Sequence, residues 1–108
     1  MKKSLVFLLL CCIQFVNSQE LALVKKNSKI GYISKDGSFK IEPQYKSAKS
    51  FSEGLAAVEN GGKWGFIDTA GNEDIPFIYE FAESFQHGNA VVKRNGKYGI
   101  IDKRNNVL

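Results

Sequence analysis

Shifted by 34 residues, the chain falls onto itself without a gap. Residues 21–54 and 55–88 share 13 identities in 34 positions, and residues 89–108 match the second copy at 8 of 20. This constrains the fold more than any other feature. A tandem unit of this size is one supersecondary motif that buries a face on its neighbour, so the chain must be read as a stack rather than as one closed core. The aligned runs are "KIGYIS" (29–34), "KWGFID" (63–68) and "KYGIID" (97–102). "LALV" (21–24), "LAAV" (55–58) and "NAVV" (89–92) align as well, as do "YKSAKSFSEG" (45–54) and "YEFAESFQHG" (79–88).

A period of 34 also belongs to helix–turn–helix repeats, but the composition of the unit excludes them. Turn pairs recur in one column: Asn27-Ser28, Gly61-Gly62 and Asn95-Gly96. Asn-Gly and Gly-Gly suit the type I′ hairpin, whose two central residues both need positive φ. The runs on either side are short and rich in Val, Ile, Phe and Tyr, as strands are. A second turn follows each hairpin, at Ser34–Gly37, Asp68–Gly71 and Asp102–Asn105. Ser or Asp stands first, to accept backbone N–H groups, and Gly or Asn stands fourth, where a left-handed conformation costs little. Third strands are expected over 39–45 and 73–79. Their prolines, Pro43 and Pro76, mark a strand end, a bulge or a sheet edge, because proline donates no ladder hydrogen bond. An irregular link then leads to the next unit. The expected fold is all-β: tandem 34-residue repeats of a β-hairpin plus a third strand, forming an open twisted stack, solenoid-like or partial-propeller-like. The repeats are 21–54, 55–88 and a partial 89–108.

Trp64, the only tryptophan, shares its column with Ile30 and Tyr98. Two residues on, Phe66 shares one with Tyr32 and Ile100, so both columns face the same side of a strand. Between them stands glycine every time: Gly31, Gly65 and Gly99. A recurrent strand glycine implies close approach of another backbone or ring. The large rings are therefore expected to form the core between repeats, in preference to an exposed ligand platform.

The pattern Lys-Trp-Gly-Phe-Ile-Asp (63–68), Gly-Asn-Glu (71–73), a proline-containing strand, Tyr79, and "FSEGLAAV" (51–58) resembles the WG-repeat family. The resemblance covers nearly all of residues 19–108 and is closest over 55–88, whereas the first and third copies carry Ile30 and Tyr98 in the tryptophan column. It implies a bacterial, often exported, β-rich array, and no common biochemical activity.

The first residues stand apart. "MKK" is followed by an apolar run, Ser4–Val16, interrupted by Gln14, and then by Val16 and Ser18 at the −3 and −1 positions of a small-residue cleavage site. This is the order of a secretory signal peptide, expected over 1–18, with the domain over 19–108. About 13 apolar residues fall short of the ~20 that span a bilayer, so no transmembrane helix is expected in the mature chain. The protein is read as exported, periplasmic or extracellular. Lipidation is disfavoured because Leu10, a bulky residue, precedes Cys11. Both cysteines, Cys11 and Cys12, fall inside the leader, so cleavage after Ser18 leaves no disulfide and no thiolate metal site. Loss of Lys2 and Lys3 leaves 13 basic residues against 11 acidic ones, lowering the formal charge from +4 to +2. That balance does not suggest a nucleic-acid partner.

Catalysis has little to stand on. His87, the only histidine, replaces Glu53 in a link column and reads as a solvated loop residue, with no nucleophile marked out near it. Asp68 and Asp102 recur in one column but are explained as turn caps, as Ser34 is in the same place. Glu73-Asp74 lacks a calcium-loop pattern, and the glycines do not form a phosphate loop. No catalytic, cofactor or metal residue is assigned, the binding residues are left open, and no cofactor is expected. The basic cluster Lys93, Arg94, Lys97, Lys103 and Arg104, echoed by Lys25, Lys26 and Lys29, is read as charge guarding strand edges, since the middle unit has Glu59 and Asn60 in those columns.

Two functions follow. The first is a non-catalytic exported module that binds a protein or glycan of the cell envelope. The second is a structural or self-associating fragment of a longer array with no ligand of its own. It draws on the third copy, which reaches Val107-Leu108 before its third strand and would leave a sheet edge open.

Overall fold

The computed structural model describes residues 21–108, so the leader expected over 1–18 lies outside the described residues. Those residues form ten strands and no helix. The first unit is a hairpin of β1 (Ala22–Lys26) and β2 (Lys29–Ile33) with a third strand β3 (Phe39–Tyr45). After a two-residue strand β4 (Ser47–Ala48), the second unit repeats the plan as β5 (Leu55–Asn60), β6 (Lys63–Asp68) and β7 (Glu73–Tyr79). The third has a short β8 (Phe81–Ala82), then β9 (Asn89–Arg94) and β10 (Lys97–Asp102). Three antiparallel sheets result, in the orders β1-β2-β3, β4-β5-β6-β7 and β10-β9-β8.

The hairpin turns have the backbone that their residues require. φ is 52° and 67° at Asn27 and Ser28, 64° and 87° at Gly61 and Gly62, and 53° and 76° at Asn95 and Gly96, the type I′ signature. The link differs from expectation, because it is regular. β4 and β8 each join the hairpin of the following unit, and each link closes on a second tight hairpin turn, Glu53-Gly54 or His87-Gly88. There Glu53 and His87 hold φ of 57° and 54°. Glu does not advertise a left-handed turn and His does so only weakly, so the glycine that follows is the clearer sign of it.

The glycine of the Trp-Gly pair has a specific cause. Ile30 pairs with Tyr45 and Tyr32 with Ile41, so the single residue Gly31 faces three residues of β3, Glu42 to Gln44. Gly65 faces Pro76 to Ile78 of β7 in the same way. The third strands are bulged there, and both prolines sit in the bulge of an edge strand, where no ladder donor is missed. The bulge presses backbone onto the glycine. A Cβ on Gly31 would lie 2.5 Å from the Ile41 carbonyl oxygen and 2.6 Å from the Pro43 nitrogen, and one on Gly65 would lie 2.7 Å from the Ile75 carbonyl oxygen and 3.0 Å from Phe77 Cα. Around Gly99, which faces no third strand, nothing lies within 4 Å.

Strand alternation gives each hairpin a front and a back. The fronts carry the large side chains, Leu23 and Tyr32 in the first unit and Leu55, Trp64 and Phe66 in the second. The backs carry a smaller set, Ala56, Val58 and Ile67 in the second unit and Ala90, Val92 and Ile101 in the third. Each front packs on the next unit's back. One cluster joins Tyr32, Ile41 and Tyr45 to Ala56, Val58 and Ile67, and the other joins Trp64, Phe66, Ile75 and Tyr79 to Ala90, Val92 and Ile101. The middle sheet is therefore covered on both faces, and Leu55 to Val58 and Trp64 to Ile67 are buried without alternation. The links complete both cores. Phe51 meets Tyr32 edge-on at 4.8 Å between ring centroids, and Phe85 meets Phe66 at 4.9 Å. Such pairs contribute about 0.5–1.5 kcal/mol beyond the area they bury. The hydroxyl of Tyr32, carried into this core, donates to the Lys49 carbonyl at 2.7 Å.

The ring columns are thus core in the first two units, with Ile30 half-buried. In the third unit they are not: Tyr98 and Ile100 are exposed, because no described strand lies on that front.

Gly65→Ala and Gly99→Ala separate the bulge contact from general strand propensity. Gly65→Ala should lower stability by about 1–3 kcal/mol, as forced overpacking does. Gly99→Ala should be neutral or slightly stabilising, within about 1 kcal/mol, because it only removes glycine's excess chain entropy. Urea titrations of the two variants check this, and equal losses would refute the contact as the reason for the glycine.

Candidate interaction surface

The recurrent acidic residues are turn caps. Asp68 Oδ1 accepts the backbone N–H groups of Ala70 (3.0 Å) and Asn72 (2.9 Å). Asp102 Oδ1 likewise accepts those of Arg104 and Asn106, both at 2.9 Å. The N–H of Asn72 is the main reason that the Asp68 carboxyl titrates below its ordinary value, and the N–H of Asn106 does the same for Asp102. Unit one corrects the expectation for Ser34. Its hydroxyl does not cap the turn. It donates to Asp36 Oδ1 at 2.6 Å, and Asp36 accepts the Ser38 N–H at 3.0 Å. Hydrogen bonds from Ser34 and Ser38 bring the Asp36 carboxyl down from 3.8 to about 2.

The link column carries His87, exposed and committed to the left-handed turn. Its counterpart Glu53 ties units together. Glu53 Oε1 accepts the Gly88 N–H at 2.9 Å and lies 3.3 Å from Lys103 Nζ, which also donates to the Glu53 carbonyl at 3.1 Å. The Gly88 N–H is the chief cause that holds the Glu53 carboxyl below its usual range. Beside it, Ser52 Oγ donates to the Phe85 carbonyl at 2.7 Å. Lys49 pairs with Glu83 at 3.5 Å and lies 5.0 Å from the Phe81 ring centroid. The basic cluster read from sequence is therefore divided. Lys103 turns to Glu53, whereas Lys93, Arg94, Lys97 and Arg104 form no ion pair among the described residues. No group of three or more His, Cys, Asp or Glu is placed to hold a metal ion among the described residues. No helix among them is long and apolar enough to cross a membrane.

What distinguishes the surface is apolar. The exposed large hydrophobic side chains of the described residues all belong to the third unit: Val91 (41%), Ile100 (43%), Tyr98 (66%), Leu108 (68%) and Val107 (76%). Tyr98 pairs with Lys93 and Ile100 with Val91 across the hairpin, so these four side chains share the front, and Lys93 Nζ stands 5.3 Å from the Tyr98 ring centroid. A hollow beside them is lined by Val91, Ile100, Glu83, Gln86 and His87. By the repeat, this is the position at which Phe51 and Phe85 cover the earlier fronts. The outer edge of β10 is paired only near its end, through the Ile101–Val107 bridge and the Leu108 N–H to the Ile100 carbonyl at 2.9 Å.

The open edge agrees with the expectation from sequence, whereas the exposed front corrects the expectation that the ring columns are core in every copy. One of the front's columns does change in this copy, where Asn89 replaces Leu21 and Leu55.

Acid should weaken the turns. A carboxylate whose folded value is depressed stabilises the fold above its unfolded value and loses that contribution as pH falls through the folded one. With Asp36 lowered from 3.8 to about 2, melting temperature should be level above pH ~4 and fall towards pH ~2. Asp102→Asn retains the Oδ1 acceptor without the charge, so thermal melts across this range should show a shallower acid limb. An unchanged limb would remove Asp102 from the cause.

Comparison with known proteins agrees with the period. A family model described as WG containing repeat matches residues 30–64 and 64–98, with starts one repeat apart at the tryptophan column. No curated protein matches the chain, and no solved structure does.

Proposed function

The chain belongs to the WG containing repeat family, and on that premise we propose that it is a non-catalytic, exported module that binds a protein of the bacterial envelope through the front of its third unit. One observation carries the reading. A continuous apolar front of Val91, Tyr98 and Ile100 stands open on the unit where the two earlier fronts are buried. Exposed apolar surface of this kind, rimmed by charge, marks an interaction site. Branched aliphatic side chains around a tyrosine suit a protein better than a sugar, whose hydroxyls ask for polar partners.

Export rests on the leader, Met1–Ser18, with its basic start, apolar run and small-residue end. The non-catalytic reading is supported by how the recurrent chemistry is used: Asp68 and Asp102 accept turn N–H groups, and His87 occupies the left-handed position of a tight turn.

A photoreactive side chain placed at Tyr98, and a control at Lys63, exposed at the start of β6, test the site in the producing cell. Protein adducts from position 98 that fail to form from position 63, and that disappear with Ile100→Glu, are the expected result. Equal labelling from both positions would overturn the site. Sedimentation with purified envelope glycan that depends on Ile100 would move the reading from protein to glycan. A hydrolytic activity lost in Asp68→Asn would overturn the non-catalytic reading.

A further inference from the structure

We infer that the protein seated on this front is a second copy of the same chain, presenting the back of its first unit, so that copies stack head to tail. The inference rests on the front of the third unit being an interaction site, and it names the partner.

The chain already contains this interface twice. The back that covers the first front is built from Ala56, Val58 and Ile67, and the back that covers the second from Ala90, Val92 and Ile101. The first unit carries the same three residue types in the same columns: Ala22, Val24 and Ile33. The register is the same as well, since Ala22 pairs with Ile33 as Ala56 does with Ile67 and Ala90 with Ile101. The two internal copies of this back are nearly sealed, with Ala56 and Val58 at 0% exposure and Ile101 at 0%. Ala22 by contrast is exposed, Val24 and Ile33 are half-exposed, and an open hollow is lined by Leu21, Ala22 and Ile33. The described residues therefore offer a front that none of them covers at one end and, at the other, the small-residue back that such fronts take.

A front on a back is a heterologous contact. It repeats without consuming the free surfaces, so it extends to rings or filaments instead of stopping at a dimer. Lys93 on the front and Lys26 and Lys29 beside the back are of like sign, while Glu83 beside the front is paired with Lys49. Added salt screens that repulsion and should tighten the association.

The test uses the chain expressed from its full sequence, with solution mass measured over a concentration series. Tyr98→Glu places a charge on the front, and Ala22→Glu places one on the back. Both positions are exposed, and a cooperative melt like that of the parent confirms that each variant folds. The parent should grow beyond a dimer as concentration rises. Each variant alone should remain monomeric, while their equimolar mixture forms a 1:1 dimer and stops there, because only one unblocked front and one unblocked back remain. If Ala22→Glu still pairs with itself while Tyr98→Glu does not, the contact is front on front and the head-to-tail assignment fails. A parent that stays monomeric at every concentration and salt also overturns the inference. If position 98 then still crosslinks a different protein in the cell, the interaction site stands with another partner.

Discussion

Everything in this fold hangs on a missing methyl group. Between Trp64 and Phe66, and again between Ile30 and Tyr32, the strand has a glycine because the bulged third strand lays its backbone where a Cβ would be. That closeness lets the proline-bearing strand close over the hairpin. It also aims the neighbouring rings at one face. With β7 held against β6, Ile75 and Tyr79 reach the same cluster as Trp64 and Phe66, and the hairpin becomes a unit with a deep front. The two-residue turns serve the same end from the other side. They fix the register so that Ala, Val and Ile fall on the back, leaving a surface shallow enough to receive the previous unit's rings.

The stack is thus built from unlike faces. A front of large side chains meets a back of small ones, and the link between units lays an aromatic, Phe51 or Phe85, across the junction. Polar contacts follow this arrangement and do not create it. Ser52 reaches the Phe85 carbonyl, and Glu53 reaches Gly88 and Lys103, along a seam that the apolar packing has already brought together. Exposed pairs of this kind contribute modestly, and their part is to hold adjacent links in step. A stack of unlike faces ends in unlike surfaces. The third unit shows a front that nothing described covers, while the first shows a back of the same make as those buried inside.

Much of this was legible at the level of columns. Asn27-Ser28, Gly61-Gly62 and Asn95-Gly96 announce their positive φ, and the bounds of β3 and β7 follow from the second turns and the tyrosines that close them. Glu53-Gly54 and His87-Gly88 announced themselves poorly, because Glu does not favour the left-handed region, and His, although enriched there, enters it far less readily than glycine. Ser34 misled for a related reason. A hydroxyl in the capping column looks equivalent to Asp68, but a carboxylate two residues on, Asp36, is the stronger acceptor and takes the turn.

The sequence alone determined the period, the hairpin turns, the close approach at Gly31 and Gly65 (though not its absence at Gly99) and the all-β class, since each is a local demand of backbone conformation on residue type. It did not determine which faces are buried. Trp64, Ile30 and Tyr98 occupy one column, yet the first is buried, the second half-buried and the third exposed. Burial belongs to the neighbour and not to the residue: it depends on whether another unit's back lies across the front. Only the tertiary structure carries that information, and it is what turns three similar hairpins into two cores and one open surface.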